Sequence, residues 1–546
     1  MDKMNLIPRI NGKMTKTKDG CEVQFPIRYK GECSFANQFD IEPVREEETG
    51  IYLEFKREDS IADEGYILEI HPNKLVIKSS TEAGKYYGMQ TLTAIIEEEN
   101  GHLSCGTIED VPRYGYRGFM IDVSRHFFSV EEMKKIINQC AKYKLNKFHW
   151  HLSDDQGFRI ESKKFPELNQ TGSMRREEDG TITRGFYTQE EIKDIVRYAT
   201  ERQIETIPEI DMPGHTSAII AAYPELSCSG KVTEVKNKGG IYTQILCAGN
   251  EKTMQFIYEL LDETLPLFPG RYFHIGGDEA PKTEWKTCEY CQDLIRREQL
   301  EGEEELQAYF TKKLADYLEK KGKTAIGWND ILASGKAERM IAQYWNEPGQ
   351  GYSYAEVQKG QKFIFSNSDA CYMDYPHCMV TLKGIYSFEP NIQGHADIPA
   401  NQILGLEAPV WTEYIETEES LENHIFPRLQ ALAENAWSSE KDYEDFLRRV
   451  KIEEKNLAKA GIVCTPVEEA SACGEVGMQG IRAWIDNWVN QTLAGGVELP
   501  PEIIKENIES SAHMIESCMK YAYTEEEIEE VIQYLREKLT SKMQQL

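Results

Sequence analysis

Two adjacent carboxylates, Asp278 and Glu279, follow a short apolar run, Tyr272 to Gly276, and sit directly after Gly277. Breaking a glycosidic bond takes a protonated acid at the leaving oxygen and a nucleophile behind the anomeric carbon. Adjacent carboxylates raise each other's proton affinity by like-charge repulsion, so one of them can keep a proton near neutral pH. Two neighbours in sequence cannot easily stand on opposite faces of one sugar ring. Their spacing therefore suits a reaction whose nucleophile belongs to the substrate. A bare Asp-Glu pair is ordinarily a solvated surface feature, but its place behind an apolar strand ending in Gly-Gly reverses that weighting.

The elements that must position this pair recur along the middle of the chain. Eight short apolar runs, Arg117 to Val123, Lys147 to Leu152, Ile204 to Ile210, Tyr272 to Gly276, Lys323 to Trp328, Met340 to Trp345, Lys362 to Ser366 and Gly405 to Val410, alternate with longer amphipathic helical segments. Alternating strand and helix signals argue a parallel sheet with crossover helices, and eight units fit an α/β fold of the (β/α)8 TIM barrel type. A doubly wound open sheet is the alternative, but no G-x-G-x-x-G follows the first run.

Active sites in such barrels gather at the C-terminal strand ends. The residues there are Ser124-Arg125-His126, Ser153-Asp154-Asp155, Asp211 to His215, Asp278-Glu279, Trp328-Asn329-Asp330, Tyr344-Trp345-Asn346, Ser366 to Asp369 and Trp411-Thr412-Glu413. Acids, an Arg and Trp rings match a sugar pocket, with polar groups for hydroxyls and aromatic faces for pyranose C–H surfaces. A single Trp is more often core than platform; three at strand ends bring the two readings level. His215 follows Asp211 by four, as a metal pair on a helix would, but Pro213 and Gly214 break such a helix. A hydrogen-bonded His supporting an acid is the preferred reading.

The barrel zone spans residues 112–440. Before it, residues 1–111 read as a small α+β domain, with strands at Ile51 to Phe55, Gly65 to Ile70 and Lys74 to Lys78 and a helix from Thr81 to Glu99. After it, residues 441–546 read as helices, Lys441 to Lys459, Met478 to Ala494, Pro501 to Tyr521 and Thr524 to Lys542, packed against the barrel or in a homodimer contact, with no chemistry of their own. The length of 546 residues suits about three domains. A net charge of −30 disfavours nucleic acid and anionic membranes as partners. No apolar stretch spans a membrane, and the opening residues lack the apolar core of a signal peptide, so the expected location is cytoplasmic; a secreted chain trimmed of its leader would read the same. The 13 cysteines read as free thiols. Cys288-x-x-Cys291 lacks a second pair of matching spacing, so no metal site is expected.

These strand-end motifs resemble glycoside hydrolase family 20. The matching strings are Arg117-Gly-Phe-Met-Ile-Asp-Val-Ser-Arg-His-Phe-Phe, His149-Trp-His-Leu-Ser-Asp-Asp-Gln-Gly-Phe-Arg, Pro208-Glu-Ile-Asp-Met-Pro-Gly-His, His274-Ile-Gly-Gly-Asp-Glu, Gly327-Trp-Asn, Gln343-Tyr-Trp, Tyr372-Met-Asp and Ala408-Pro-Val-Trp-Thr-Glu. The resemblance implies a retaining exo-β-N-acetylhexosaminidase acting on oligosaccharides with a terminal GlcNAc or GalNAc. The substrate's own acetamido oxygen would attack the anomeric carbon, and no metal or organic cofactor is implied. Glu279 would be the acid and later base, and Asp278 would orient the acetamido group. Trp328, Trp345 and Trp411 would wall it, and Tyr372 would donate to its oxygen. Arg125, Asp374 and Glu413 would take the ring hydroxyls. Asp154, Asp211 and His215 would support the acid from behind. Some relatives place a Trp on the leaving sugar shortly after the Tyr-x-Asp motif, where this chain has Tyr375-Pro-His-Cys-Met. Cys228 and Cys247 stand where some secreted relatives carry a disulfide; here they are expected as thiols. A lacto-N-biosidase-like activity, a catalytically dead sugar-binding protein and a scaffold working through its helical tail are the competing readings.

Overall fold

The computed structural model describes residues 4–44, 50–335, 339–347, 351–493 and 501–543. The first layer is a mixed sheet of seven strands: β1 (Gly12–Glu22), β2 (Ile27–Lys30), β3 (Ile41–Pro43), β4 (Leu53–Arg57), β5 (Tyr66–His71), β6 (Lys74–Ser79) and β7 (His102–Asp110). Their order is β1-β7-β5-β6-β4-β2-β3. Sequence periodicity signalled only three of them. The outer strand β1 is exposed along almost its whole length and has no buried face to pattern it. The helix Glu82–Glu98 covers the sheet, capped by Thr81, whose hydroxyl accepts from the Gly84 N–H at 3.1 Å. It buries Tyr86, Tyr87, Met89, Leu92, Ile95 and Ile96.

The second layer is a closed barrel of eight parallel strands. Its first two strands are β8 (Tyr116–Asp122) and β9 (Lys147–His151). Two short hairpins follow, β10 (Ser153–Asp154) with β11 (Gly157–Phe158) and β12 (Met174–Arg176) with β13 (Ile182–Arg184). The barrel then continues through β14 (Glu205–Glu209), β15 (Tyr272–His274), β16 (Thr324–Trp328), β17 (Ile341–Tyr344), β18 (Phe363–Phe365) and β19 (Ile403–Val410). Crossover helices begin where the sequence supplies caps. Ser129 opens Val130–Lys142, and Thr188 forms a capping box with Glu191 at Gln189–Glu201.

Asp110, the last residue of β7, joins the two layers. It is 3% exposed and accepts from Tyr66 Oη at 2.6 Å, Trp437 Nε1 at 2.9 Å and Lys144 Nζ at 3.2 Å. Burial pulls the Lys144 pKa down, and Asp110 works against it. The C-terminal helices Tyr443–Lys459, Gly474–Leu493, Pro501–Met519 and Glu525–Met543 pack beside the barrel; Ala494, expected in the second of them, lies outside the described residues. Tyr523 Oη donates to the Cys378 carbonyl at 2.8 Å, and Lys520 pairs with Asp369 at 2.5 Å, which seats the tail on the loop after β18. Among the described residues no helix is long and apolar enough to cross a membrane.

Removing the Asp110 carboxylate strands a buried ammonium. Asp110→Ala should destabilise the chain by about 3–5 kcal/mol, read from the urea unfolding midpoint. A loss under about 1 kcal/mol would mean that the pair does not hold the layers together.

Candidate active site

The backbone leaves β15 through Gly276 (φ +66°) and Gly277 (φ +101°), and Glu279 itself has φ +45°. A Cβ on Gly276 would lie 1.7 Å from Asp211 Oδ1, so only glycine lets Asp211 sit against this turn. Asp211 Oδ1 in turn accepts the Gly277 N–H at 3.0 Å, and Gln307 Nε2 donates to the Gly277 carbonyl at 2.6 Å. The turn thus points Asp278 and Glu279 into different surroundings. The Asp278 side chain is 12% exposed, whereas the Glu279 side chain is 33% exposed at the mouth. Burial first, then the Asp211 carboxylate, push the Asp278 pKa well above the carboxylate range, with His215 opposing. Asp211 is raised likewise, by burial and by Glu209 and Asp154.

His215 lies behind the pair, also at positive φ (+51°). Its Nε2 is 3.5 Å from Glu279 Oε2 and 3.8 Å from Asp278 Oδ2. Its Nδ1 faces Asp154 Oδ1 at 3.2 Å and Asp155 Oδ2 at 3.3 Å. Burial opposes a charged imidazole, but these carboxylates outweigh it and hold the His215 pKa well above its usual value. Asp154 also pairs with Arg125 Nη2 at 2.9 Å and His151 Nε2 at 2.8 Å.

The rest of the site forms a cavity of about 300 Å³ lined by Arg125, His215, Asp278, Glu279, Trp328, Trp345, Tyr372, Asp374, Trp411 and Glu413. Asp154 and Asp211, from the same set of sequence candidates, stand one layer behind it. Trp328 and Trp411 have ring centroids 5.6 Å apart, and Trp345 stacks on Tyr372 at 6.4 Å. Trp328 Nε1 is fixed by Glu209 and Trp345 Nε1 by Asp330, both at 2.9 Å. Arg125 lies over the Trp411 ring at 5.0 Å and 3.6 Å from Glu413. Burial and Glu413 push the Asp374 pKa up to about 7.

Several residues that matter here carried no readable sequence signal. Trp484, on the C-terminal helix Gly474–Leu493, lines the same cavity, beside Tyr375, Ile415 and His424. The expectation that the tail contributes nothing to the site is therefore corrected: a helix far along the chain reaches the cavity only through tertiary packing. Arg428 is fully buried and donates to the carbonyls of Tyr375 at 2.8 Å and Val380 at 3.1 Å, which fixes the loop carrying Tyr372 and Asp374. The expectation of scattered thiols also needs correction. Cys228, Cys247, Cys288 and Cys291 converge, with all four sulfurs within 4.8 Å of one another. The partners of the C-x-x-C are nineteen positions apart, a spacing that matches no familiar pair.

Below the cavity, the barrel interior holds a second charged layer. Glu209 binds His151 Nδ1 at 2.6 Å, His149 Nε2 at 3.0 Å and His274 Nδ1 at 2.9 Å, while Glu407 binds His149 Nδ1 at 2.7 Å. Burial disfavours these charges, yet the carboxylates push His149 up to about 9 and His151 up to about 10. Histidines whose folded pKa exceeds the unfolded value of about 6.5 add stability that is complete below that pH and is lost as pH rises toward 9–10. Unfolding free energy should therefore fall from pH 7 to 10, and the slope should shrink in Glu209→Gln. An equal slope in both proteins would place the protons elsewhere.

Comparison with known proteins agrees with this geometry. A family model described as glycosyl hydrolase family 20, catalytic domain, matches residues 114–440, and its domain 2 matches residues 31–111. A β-hexosaminidase of Porphyromonas gingivalis is 41% identical over 74% of this chain and 55% of its own, so the chain spans about half the length of that relative. One from Akkermansia muciniphila is 33% identical over 72% of this chain and 83% of its own. A solved β-N-acetylhexosaminidase from Bacteroides fragilis superposes with TM-score 0.75 at 30% identity, covering 86% of this chain and 99% of its own. An exo-β-N-acetylglucosaminidase from Vibrio harveyi, solved with N-acetylglucosamine, gives TM-score 0.75 at 28% identity, covering 85% of this chain and 78% of its own. With its barrel and most of its preceding sheet domain matched, the chain belongs to glycosyl hydrolase family 20.

Proposed function

We propose that this protein is a retaining exo-β-N-acetylhexosaminidase that removes a terminal GlcNAc or GalNAc by substrate-assisted catalysis. The observation that carries the reading is the divergence of Asp278 and Glu279 at the mouth of an aromatic-walled cavity sized for one sugar. Glu279, the more exposed of the two, protonates the leaving oxygen. The substrate's acetamido oxygen closes on the anomeric carbon within the box of Trp328, Trp345, Trp411 and Tyr372. Asp278 faces the acetamido N–H. Its elevated pKa in the free site falls as positive charge grows on the cyclising group, so the ion pair is strongest when the cation is most developed. Water then attacks the cyclic intermediate, giving its proton to Glu279. Arg125, Asp374 and Glu413 receive the outer hydroxyls and close the far end against a second sugar, which favours one-sugar removal over release of a disaccharide. The acid and its neighbour are both present, which disfavours a dead sugar-binding protein. Relatives named as β-hexosaminidases, and a structural neighbour holding N-acetylglucosamine, support the same reading.

The test is a hydrolysis panel of p-nitrophenyl GlcNAc, GalNAc, lacto-N-bioside and glucoside. The two N-acetyl sugars should be cleaved and the glucoside left intact; equal rates on the glucoside would end the substrate-assisted reading. Glu279→Gln should lower kcat by about 10² to 10⁴, since that is what a positioned acid contributes. A loss under fivefold would remove Glu279 from the role.

Trp484 lines the cavity beside Tyr375, Ile415 and His424, and we propose that it offers the leaving sugar the aromatic surface that Tyr375-Pro-His-Cys-Met lacks. Trp484→Ala should raise KM for a chitobiose-type disaccharide by about tenfold, the value of roughly 1.4 kcal/mol of lost stacking, and leave KM for a methyl glycoside nearly unchanged. Equal shifts on both substrates would assign Trp484 to packing alone.

A further inference from the structure

The four-cysteine cluster lies apart from the sugar cavity, and the proposed chemistry does not use it. Three backbone segments build it. Cys228 follows the short turn Pro224–Leu226, and Cys247 returns to that turn, its N–H donating to the Leu226 carbonyl at 2.8 Å. Cys288 immediately precedes the helix Glu289–Glu298, and Cys291 stands in its first turn. The Sγ atoms of Cys228 and Cys291 are 3.8 Å apart; those of Cys247 lie 3.6 Å from both Cys288 and Cys291. Thiolates held at about 2.3 Å by one tetrahedral ion stand about 3.8 Å from each other, whereas a disulfide needs about 2.05 Å. Three of the six spacings match the edges of a tetrahedron around a single ion, and the remaining pairs lie within 4.8 Å. An iron–sulfur cluster, with its core of several atoms, would spread the thiolates further. The Gly249 N–H reaches the sulfurs of Cys247 and Cys291, a donor suited to thiolate charge. A Cβ on Gly249 would lie 2.2 Å from the Tyr290 carbonyl carbon, so glycine is what allows the two segments to close.

We propose that Cys228, Cys247, Cys288 and Cys291 bind one zinc ion as a structural site of four thiolates. Binding displaces the thiol protons to solvent and forms four Zn–S bonds with no change of oxidation state. The site pins both ends of the segment 229–246, which forms no helix or strand beyond the isolated bridge between Ser227 and Leu246. That segment reaches the sugar cavity: the Lys238 carbonyl accepts from Gln156 Nε2 at 2.6 Å, Gln156 Oε1 accepts from Arg125 Nε at 3.0 Å, and Gly239 packs on Glu413. The other half of the site continues from Asp278-Glu279 through Trp285, whose Nε1 donates to the Leu246 carbonyl at 3.0 Å. The ion therefore ties the loop after β14 to the loop after β15, which carries the acid.

The full-length protein, purified without chelator, should contain about one zinc per chain by elemental mass spectrometry. X-ray absorption at the zinc edge should show four sulfur neighbours at about 2.3 Å. A Cys228→Ser, Cys247→Ser double variant should lose the metal. Should that variant fail to fold, the same question is answered in the unaltered protein: a mercurial thiol reagent should release the zinc stoichiometrically, and the released metal should be captured by a chromogenic chelator. Four free thiols with under a tenth of a zinc per chain, a mass four units low from two disulfides, nitrogen or oxygen neighbours at the zinc edge, or one iron in its place would each overturn the assignment.

Discussion

One buried imidazole holds the site together. Asp154, Asp155, Asp278 and Glu279 all lie within 4 Å of His215. Burial alone would drive that imidazole neutral, and the carboxylates alone would drive one another neutral. Here Asp154 and His215 hold each other charged, while burial and Asp211 push the neighbouring Asp278 toward its protonated form. The geometry follows from the same requirement. His215 must adopt a left-handed backbone to reach inward, and Gly276 must lack a side chain so that Asp211 can brace the turn carrying the acid.

The layers below repeat this solution. Glu209 and Glu407 gather His149, His151 and His274 in the barrel interior, and Glu209 also fixes the indole of Trp328. The wall of the cavity is thereby bonded to the barrel's ionic core, so the rings are held in place by hydrogen bonds as well as by contact. Arg428 does the equivalent for the loop after β18, using backbone carbonyls as acceptors.

How much of this was readable from the chain depends on whether the signal was local. Strand-end residues such as Asp278, Glu279, Trp328 and Glu413 were legible because an apolar run followed by polar residues is a contiguous pattern. The eight barrel strands were legible for the same reason, since each is buried and so nearly continuous in apolar residues. Strand β1 was not, because an edge strand exposed on both sides has no alternation. Trp484 and the Cys228–Cys247 pair were not, because only the folded chain brings them to their partners. Spacing rules read short loops, and the loop joining those cysteines is long and irregular.

The far end of the cavity has one further consequence. Arg125 is held there by Asp122, Asp154 and Gln156, and Glu413 is backed by the segment that passes Gly239. On the proposed reading, a glycan would enter by its tip and withdraw the way it came. Such a chamber would not slide along a polymer, so each cut would be followed by release and a fresh encounter, and a decoration on the tip sugar would shelter everything behind it.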